Sequence, residues 1–87
     1  MTQQEYEQTD LTLVSKRFID IYYLLVSRRI VRTRKEFCEA IGLNPTAFSQ
    51  IESGKVKCTW ALIWSTIYAY NLQPLWLCMA AGEPFND

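Results

Sequence analysis

Between Thr33 and Gly54 the chain is punctuated so closely that its local structure has little freedom. Thr33 and Glu36 form a capping box, in which the Thr oxygen takes the third amide and the Glu reaches back. That predicts a helix over 34–41 with Phe37, Cys38 and Ile41 pointing one way. Gly42 can take the left-handed conformation that ends it. Asn44 is a good N-cap and Pro45 suits the first helical position, so a second helix opens at once. Leu43 before the cap can staple onto Phe48. Ala47, Phe48 and Ile51 form its buried stripe, and Gly54 ends it. Two short helices joined by Gly42-Leu43-Asn44 make a helix-turn-helix.

Helices also account for the rest. Asp10 can cap a long helix reaching about Arg29, with Leu11, Val14, Phe18, Ile21 and Leu25 at helical spacing. Arg28 and Arg29 near its end suit the helix dipole, or equally a phosphate. A fourth helix over about 59–70 places Trp60, Ile63, Ile67 and Tyr70 on one face, and Asn71 replaces glycine as its left-handed stop. Pro74 starts a last short helix, PLWLCMAA, before Gly82. No stretch reads as a strand. The expectation is an all-α fold of five helices in one compact domain over residues 10–87, behind a polar, mobile tail at 1–9. Eighty-seven residues fit one domain and leave little for a second. A chain this short buries only about 60–65% of its extended surface. Twelve aromatics supply a dense core.

Net charge is zero, yet its distribution is uneven. All nine Lys and Arg fall between Lys16 and Lys57, opposed there by Asp20, Glu36, Glu39 and Glu52, so that window carries +5. A local field, not the whole-chain sum, steers a polyanion. Cys38, Cys58 and Cys78 fit no metal-ligand spacing, no histidine accompanies them, and their odd number argues against a disulfide framework. Thiols packed as small apolar side chains in a cytoplasmic protein are the better account. No metal or other cofactor is expected. With no glycine-rich phosphate loop and no triad-like set either, an enzyme is not expected. The N-terminus has no signal layout. Twenty-five residues from Cys58 to Gly82 lack charge, but Asn71, Gln73 and Pro74 divide them. Neither piece approaches the roughly 20 residues a span requires. No membrane is expected.

The segment TRKEFCEAIGLNPTAFSQIESGK resembles the helix-turn-helix of the lambda-repressor-like (XRE-family) DNA-binding proteins. In that family a small residue in the first short helix lets the second pack close, and here it is Cys38. The glycine of the turn is Gly42, and the closing Q-I-E-x-G-K is Gln50 to Lys55. The tail YNLQPLWLCMAAGEPF is similar to the last helix and Gly-Glu segment of one repressor-like subgroup. The resemblance covers roughly residues 17–85 and implies a sequence-specific DNA-binding regulator, a repressor of the phage type, working as a twofold dimer. There are departures. Many members pair the glutamate matching Glu52 with an arginine of the first helix, where this chain offers Ser27, Arg28 and Arg29. Cys38 replaces the usual alanine, Ala80 a frequent glycine, and Pro45 a polar residue that would face DNA.

Opposite the buried stripe of the second short helix lie Thr46, Ser49, Gln50 and Ser53, none of them charged. Base edges offer donors and acceptors rather than net charge, so such a face suits the major groove. Base reading is assigned to Asn44, Thr46, Ser49 and Gln50, and phosphate contact to Arg32, Arg34, Lys35, Lys55 and Lys57. The alternative for the polar face is an ordinary solvated helix surface. Trp64 and Tyr68 fall off the inferred core stripe of the fourth helix. Exposed together they would form the apolar patch of a homodimer, or else they pack under the long first helix. A second function class stays open: a protein-interaction module, antitoxin or anti-repressor in type, that keeps the fold without reading bases.

Overall fold

What ends each helix explains the architecture. The computed structural model describes residues 11–79 and 81–85, and the order of elements is α1 (Leu11–Ser27), α2 (Arg34–Ile41), α3 (Pro45–Glu52), α4 (Trp60–Tyr70) and α5 (Pro74–Met79). The expected tail, the Asp10 cap and Ala80 lie outside the described residues, as does the side chain of Cys78. Among the described residues there is no strand, only an isolated antiparallel bridge between Leu72 and Phe85. No helix among them is long and apolar enough to cross a membrane.

Four of the five helices stop at a residue with positive φ: Arg29 at 60°, Gly42 at 72°, Gly54 at 84° and Asn71 at 53°. In each case the next amide reaches back five residues. Ile30 donates to Leu25 O at 2.9 Å, Leu43 to Cys38 O at 2.8 Å, Lys55 to Gln50 O at 3.0 Å, and Leu72 to Ile67 O at 3.0 Å. This pattern satisfies carbonyls that a helix end leaves open and turns the chain sharply. Gly42, Gly54 and Asn71 were legible as such stops. Arg29 was not, and α1 accordingly ends at Ser27 rather than near Arg29.

The core lies where α1 crosses the pair α2 and α3, with α4 and α5 closing the other sides. Phe18 and Tyr22 of α1, Phe37 of α2 and Phe48 of α3 are all buried. Their ring centroids lie 5.0–6.2 Å apart in tilted or edge-on pairs. Tyr70 at the end of α4 stacks on Phe37 at 5.8 Å. Such pairs add about 0.5–1.5 kcal/mol each beyond the area they bury.

The inward face of α4 differs from expectation. Leu62, Ile63, Thr66 and Ile67 are buried, whereas Trp60 and Tyr70 are only half-buried. Apart from Ser65 and Thr66, α4 is apolar all round, so periodicity could not select its face. Thr66 is tolerated inside because its hydroxyl donates to Leu62 O at 2.8 Å. The loop between α3 and α4 is pinned by Ser15, whose Oγ accepts from the Cys58 amide at 2.8 Å. Cys38 and Cys58 are free thiols packed in the core, as expected, and burial pushes the Cys58 thiol up to about 11. Below α1, the C-terminal segment folds back, with Gln73 donating to Pro84 O at 2.8 Å and Arg28 lying 4.7 Å over the Phe85 ring.

An arginine in the left-handed region carries strain of about 1–2 kcal/mol that glycine does not. Arg29→Gly should therefore stabilise the protein by about 0.5–1 kcal/mol, after allowing for the entropy glycine adds to the unfolded chain. Urea titration checks this as a higher midpoint at unchanged slope. A lower midpoint would show that the Arg29 side chain contributes more than its backbone costs.

Candidate nucleic-acid interface

The two central helices are short, and each is set at both ends by its own sequence. Thr33 Oγ1 accepts from the Glu36 amide at 3.1 Å and starts α2. After Gly42, Asn44 adopts an extended backbone, and its Oδ1 accepts from the Thr46 amide at 2.7 Å. Pro45 then fills the first position of α3, where no amide donor is needed. The two helices pack on each other, and α3 also packs on α1. Phe48 and Ile51 are buried. With those two turned inward, the opposite face must point out.

It does. Asn44, Thr46, Ser49, Gln50 and Ser53 are all exposed, so the expected base-reading residues share one outward surface. Their hydrogen-bonding groups are not equally free. Ser49 Oγ donates to Pro45 O at 3.3 Å, and Ser53 Oγ donates to Gln50 O at 3.1 Å. Asn44 Oδ1 is engaged as the cap. The Thr46 hydroxyl and the Gln50 amide have no hydrogen bond to other side chains or backbone among the described residues.

The cations fall into two kinds. Arg32, Lys35, Lys55 and Lys57 are exposed. Lys35 approaches Glu39 only at 4.0 Å, an exposed i,i+4 pair of a few tenths of a kcal/mol. Arg34 is different. Its Nη2 sits 3.2 Å from Glu52 Oε1, and its guanidinium lies 4.6 Å over the Phe48 ring and 5.7 Å over the Tyr22 ring. Tyr23 of α1 donates its hydroxyl to Glu52 Oε2. Glu52 therefore ties α1, α2 and α3 together at the last turn of α3, and its partners are Tyr23 and Arg34 rather than Ser27, Arg28 or Arg29. The charge of Arg34 is largely balanced within the molecule. Nothing in the residue pattern marked Tyr23 for this role, because a single exposed tyrosine has no periodic signature.

The aromatic pair of α4 is split by the fold. Tyr68 is 75% exposed, whereas Trp64 is half-buried against the core. Their rings still touch, with centroids 6.3 Å apart. A separate cleft of about 330 Å³ runs between α3 and α4, lined by Leu43, Ala47, Val56, Lys57, Ala61 and Ser65.

No family model, curated protein or solved structure matches the chain.

The Glu52 tie has a consequence for pH. Its hydrogen bond to Tyr23 raises the Tyr23 pKa above 10.0, mainly through that bond and secondarily through burial. A tyrosine raised in the folded state contributes stability that is complete below the unfolded value of about 10 and lost as pH rises through the folded value. Stability should thus fall on the alkaline side, and Tyr23→Phe should remove part of that fall. In Glu52→Gln, ultraviolet titration of the tyrosines should show one hydroxyl moving down toward the ordinary value. An unmoved titration curve would mean that the bond is not kept in solution.

Proposed function

We propose that this chain is a helix-turn-helix protein of lambda-repressor-like (XRE) type, which binds double-stranded DNA at specific sequences. As a transcriptional regulator it represses by occupying promoter DNA. The observation that carries this is the outward face of α3, an uncharged surface of hydrogen-bonding side chains with exposed cations only at its flanks. Such a division suits a duplex. Phosphates take charge and supply most affinity, while base edges take donors, acceptors and methyl contacts.

In this reading α3 enters the major groove with its N-terminal residues deepest. Lys35 and Arg32 lie on one side of it along the chain, Lys55 and Lys57 on the other, and they hold the two phosphate walls. Arg34 acts differently from the others. Clamped by Glu52 and stacked over Phe48, it sets the angle between α2 and α3 and offers phosphate only its remaining donors. Two copies related by a twofold axis would read half-sites about 34 Å apart. Exposed Tyr68, with Trp64 behind it, is the surface assigned to that pairing.

One observation favours a second reading, a protein-interaction module that keeps the fold without reading bases. The exposed side of α4, with Ala61, Ser65, Tyr68 and Ala69, has no charge, and the whole chain has a net charge of zero. Such a surface suits a protein partner as well as a second copy.

Selection from random duplex DNA at about 0.1 M salt separates the two, because screening at that strength already weakens non-specific binding. An enriched inverted repeat is expected. No enrichment by folded protein would leave the interaction module standing. Gln50→Ala should cost about 1–3 kcal/mol on the selected site and relax one base position, whereas Lys55→Ala should weaken all sequences alike. Equal losses on every sequence for both variants would remove α3 from base reading.

A further inference from the structure

Four residues share the outward face of α3 or its cap, but the hydrogen bonds within the protein leave them with unequal capacity to read bases. Asn44 uses its carbonyl oxygen to hold the Thr46 amide at 2.7 Å. Its NH₂ is the group left unbonded, and a donor alone can donate to guanine N7 or O6, adenine N7 or thymine O4 alike. Ser49 uses its proton on Pro45 O at 3.3 Å. What it presents outward is a lone acceptor, which meets adenine N6 and cytosine N4 equally well. Each of these groups can join a duplex, but neither can tell one base pair from the others.

Gln50 is the exception. Its carbonyl and NH₂ are both free among the described residues, and the side chain is exposed. A free amide pairs both groups at once with adenine N6 and N7, and no other base offers that acceptor–donor pair in the major groove. Thr46 keeps a free hydroxyl and a methyl group, and the methyl is complementary to the C5-methyl of thymine. No Lys or Arg lies in α3, whose only charged residue, Glu52, is held by Tyr23 and Arg34. Bidentate reading of guanine, which needs a cationic fork or ammonium, is therefore unavailable from this helix.

We infer that the duplex this protein selects is defined by A·T pairs, with an adenine read by Gln50 as the main determinant and a thymine methyl met by Thr46 as the second. The positions facing Asn44 and Ser49 are degenerate. This rests on the DNA-reading proposal above, and it deepens that proposal by naming the base chemistry.

The test uses the full chain and the selected duplex, with 7-deazaadenine placed in turn at each adenine of the half-site. The modified base keeps its pairing and loses only the N7 acceptor. At one adenine the substitution should lower wild-type affinity about tenfold, the order expected for a lost bidentate partner. In Gln50→Ala the same substitution should change nothing. Replacing the critical thymine by uracil should lower affinity a few-fold in the wild type and not in Thr46→Ser. Asn44→Ser, which keeps a capping oxygen, and Ser49→Ala should leave the order of base preferences unchanged. A selected site whose Gln50-dependent position is G·C, or one indifferent to 7-deazaadenine, overturns the inference while DNA reading stands. A folded protein that enriches no sequence overturns both. Circular dichroism of each variant shows that helix content is kept, so a loss of affinity is not a loss of fold.

Discussion

Eight residues are too few for a helix to persist alone in water, where about 12–15 are needed even in favourable sequences. Both α2 and α3 are of that length, so their existence depends on what they pack against. That support is the aromatic junction of Phe18, Tyr22, Phe37 and Phe48, contributed by three different helices. Tyr22 meets Phe48 at 5.0 Å and Phe37 at 5.3 Å. The long α1 acts as the beam, and its two rings orient both short helices at once. Because the junction takes the apolar side of α3, the polar side has nowhere to go but outward. The candidate interface is thus a by-product of core packing.

Two smaller constraints hold that surface in place. At the C-terminal end of α3, Glu52 sits where the helix dipole disfavours a negative charge. It is compensated by Arg34 and by the Tyr23 hydroxyl, which join the end of α3 to α2 and α1. Beyond it, the loop carrying Lys55 and Lys57 is anchored by the bond from the Cys58 amide to Ser15. The flanking cations are held near the helix they serve without being buried themselves. Placing a charge-neutral pair inside this network and free lysines outside it separates rigidity from attraction.

Much of this was legible in residue order. Thr33 and Asn44 have short polar side chains that accept from the first turn of a helix, and both do so. Thr59, placed within the fourth helix by residue order, caps it in the same way. Gly42, Gly54 and Asn71 end helices as such residues do. The stripe of α1 was legible as well, since polar residues interrupt it often enough for the period to show. Where the pattern is uniform it says little. In α4 nearly every residue is apolar, and the face that turned inward contains Leu62 and Thr66 instead of Trp60 and Tyr70. For Trp64 and Tyr68 the residue order left open whether both are exposed or both packed under α1. The fold does neither, covering half of Trp64 and leaving Tyr68 exposed. Arg29 resembled an ordinary last-turn cation, because nothing local reveals that a non-glycine residue will be forced to positive φ.

Local residue order sets the caps and glycine or asparagine stops of the helices and the side chains a short polar helix can offer, because capping and chain reversal act within a few residues. The end of α1 at Arg29 is the exception. Tertiary structure alone decided which of those side chains remain free. Whether Arg34 is a loose cation or a clamped one depends on Glu52, eighteen residues away, and whether Glu52 is satisfied depends on Tyr23, twenty-nine residues away. Such contacts join residues whose order along the chain carries no trace of their meeting, since only the packing of α1 across α2 and α3 brings them within hydrogen-bonding reach.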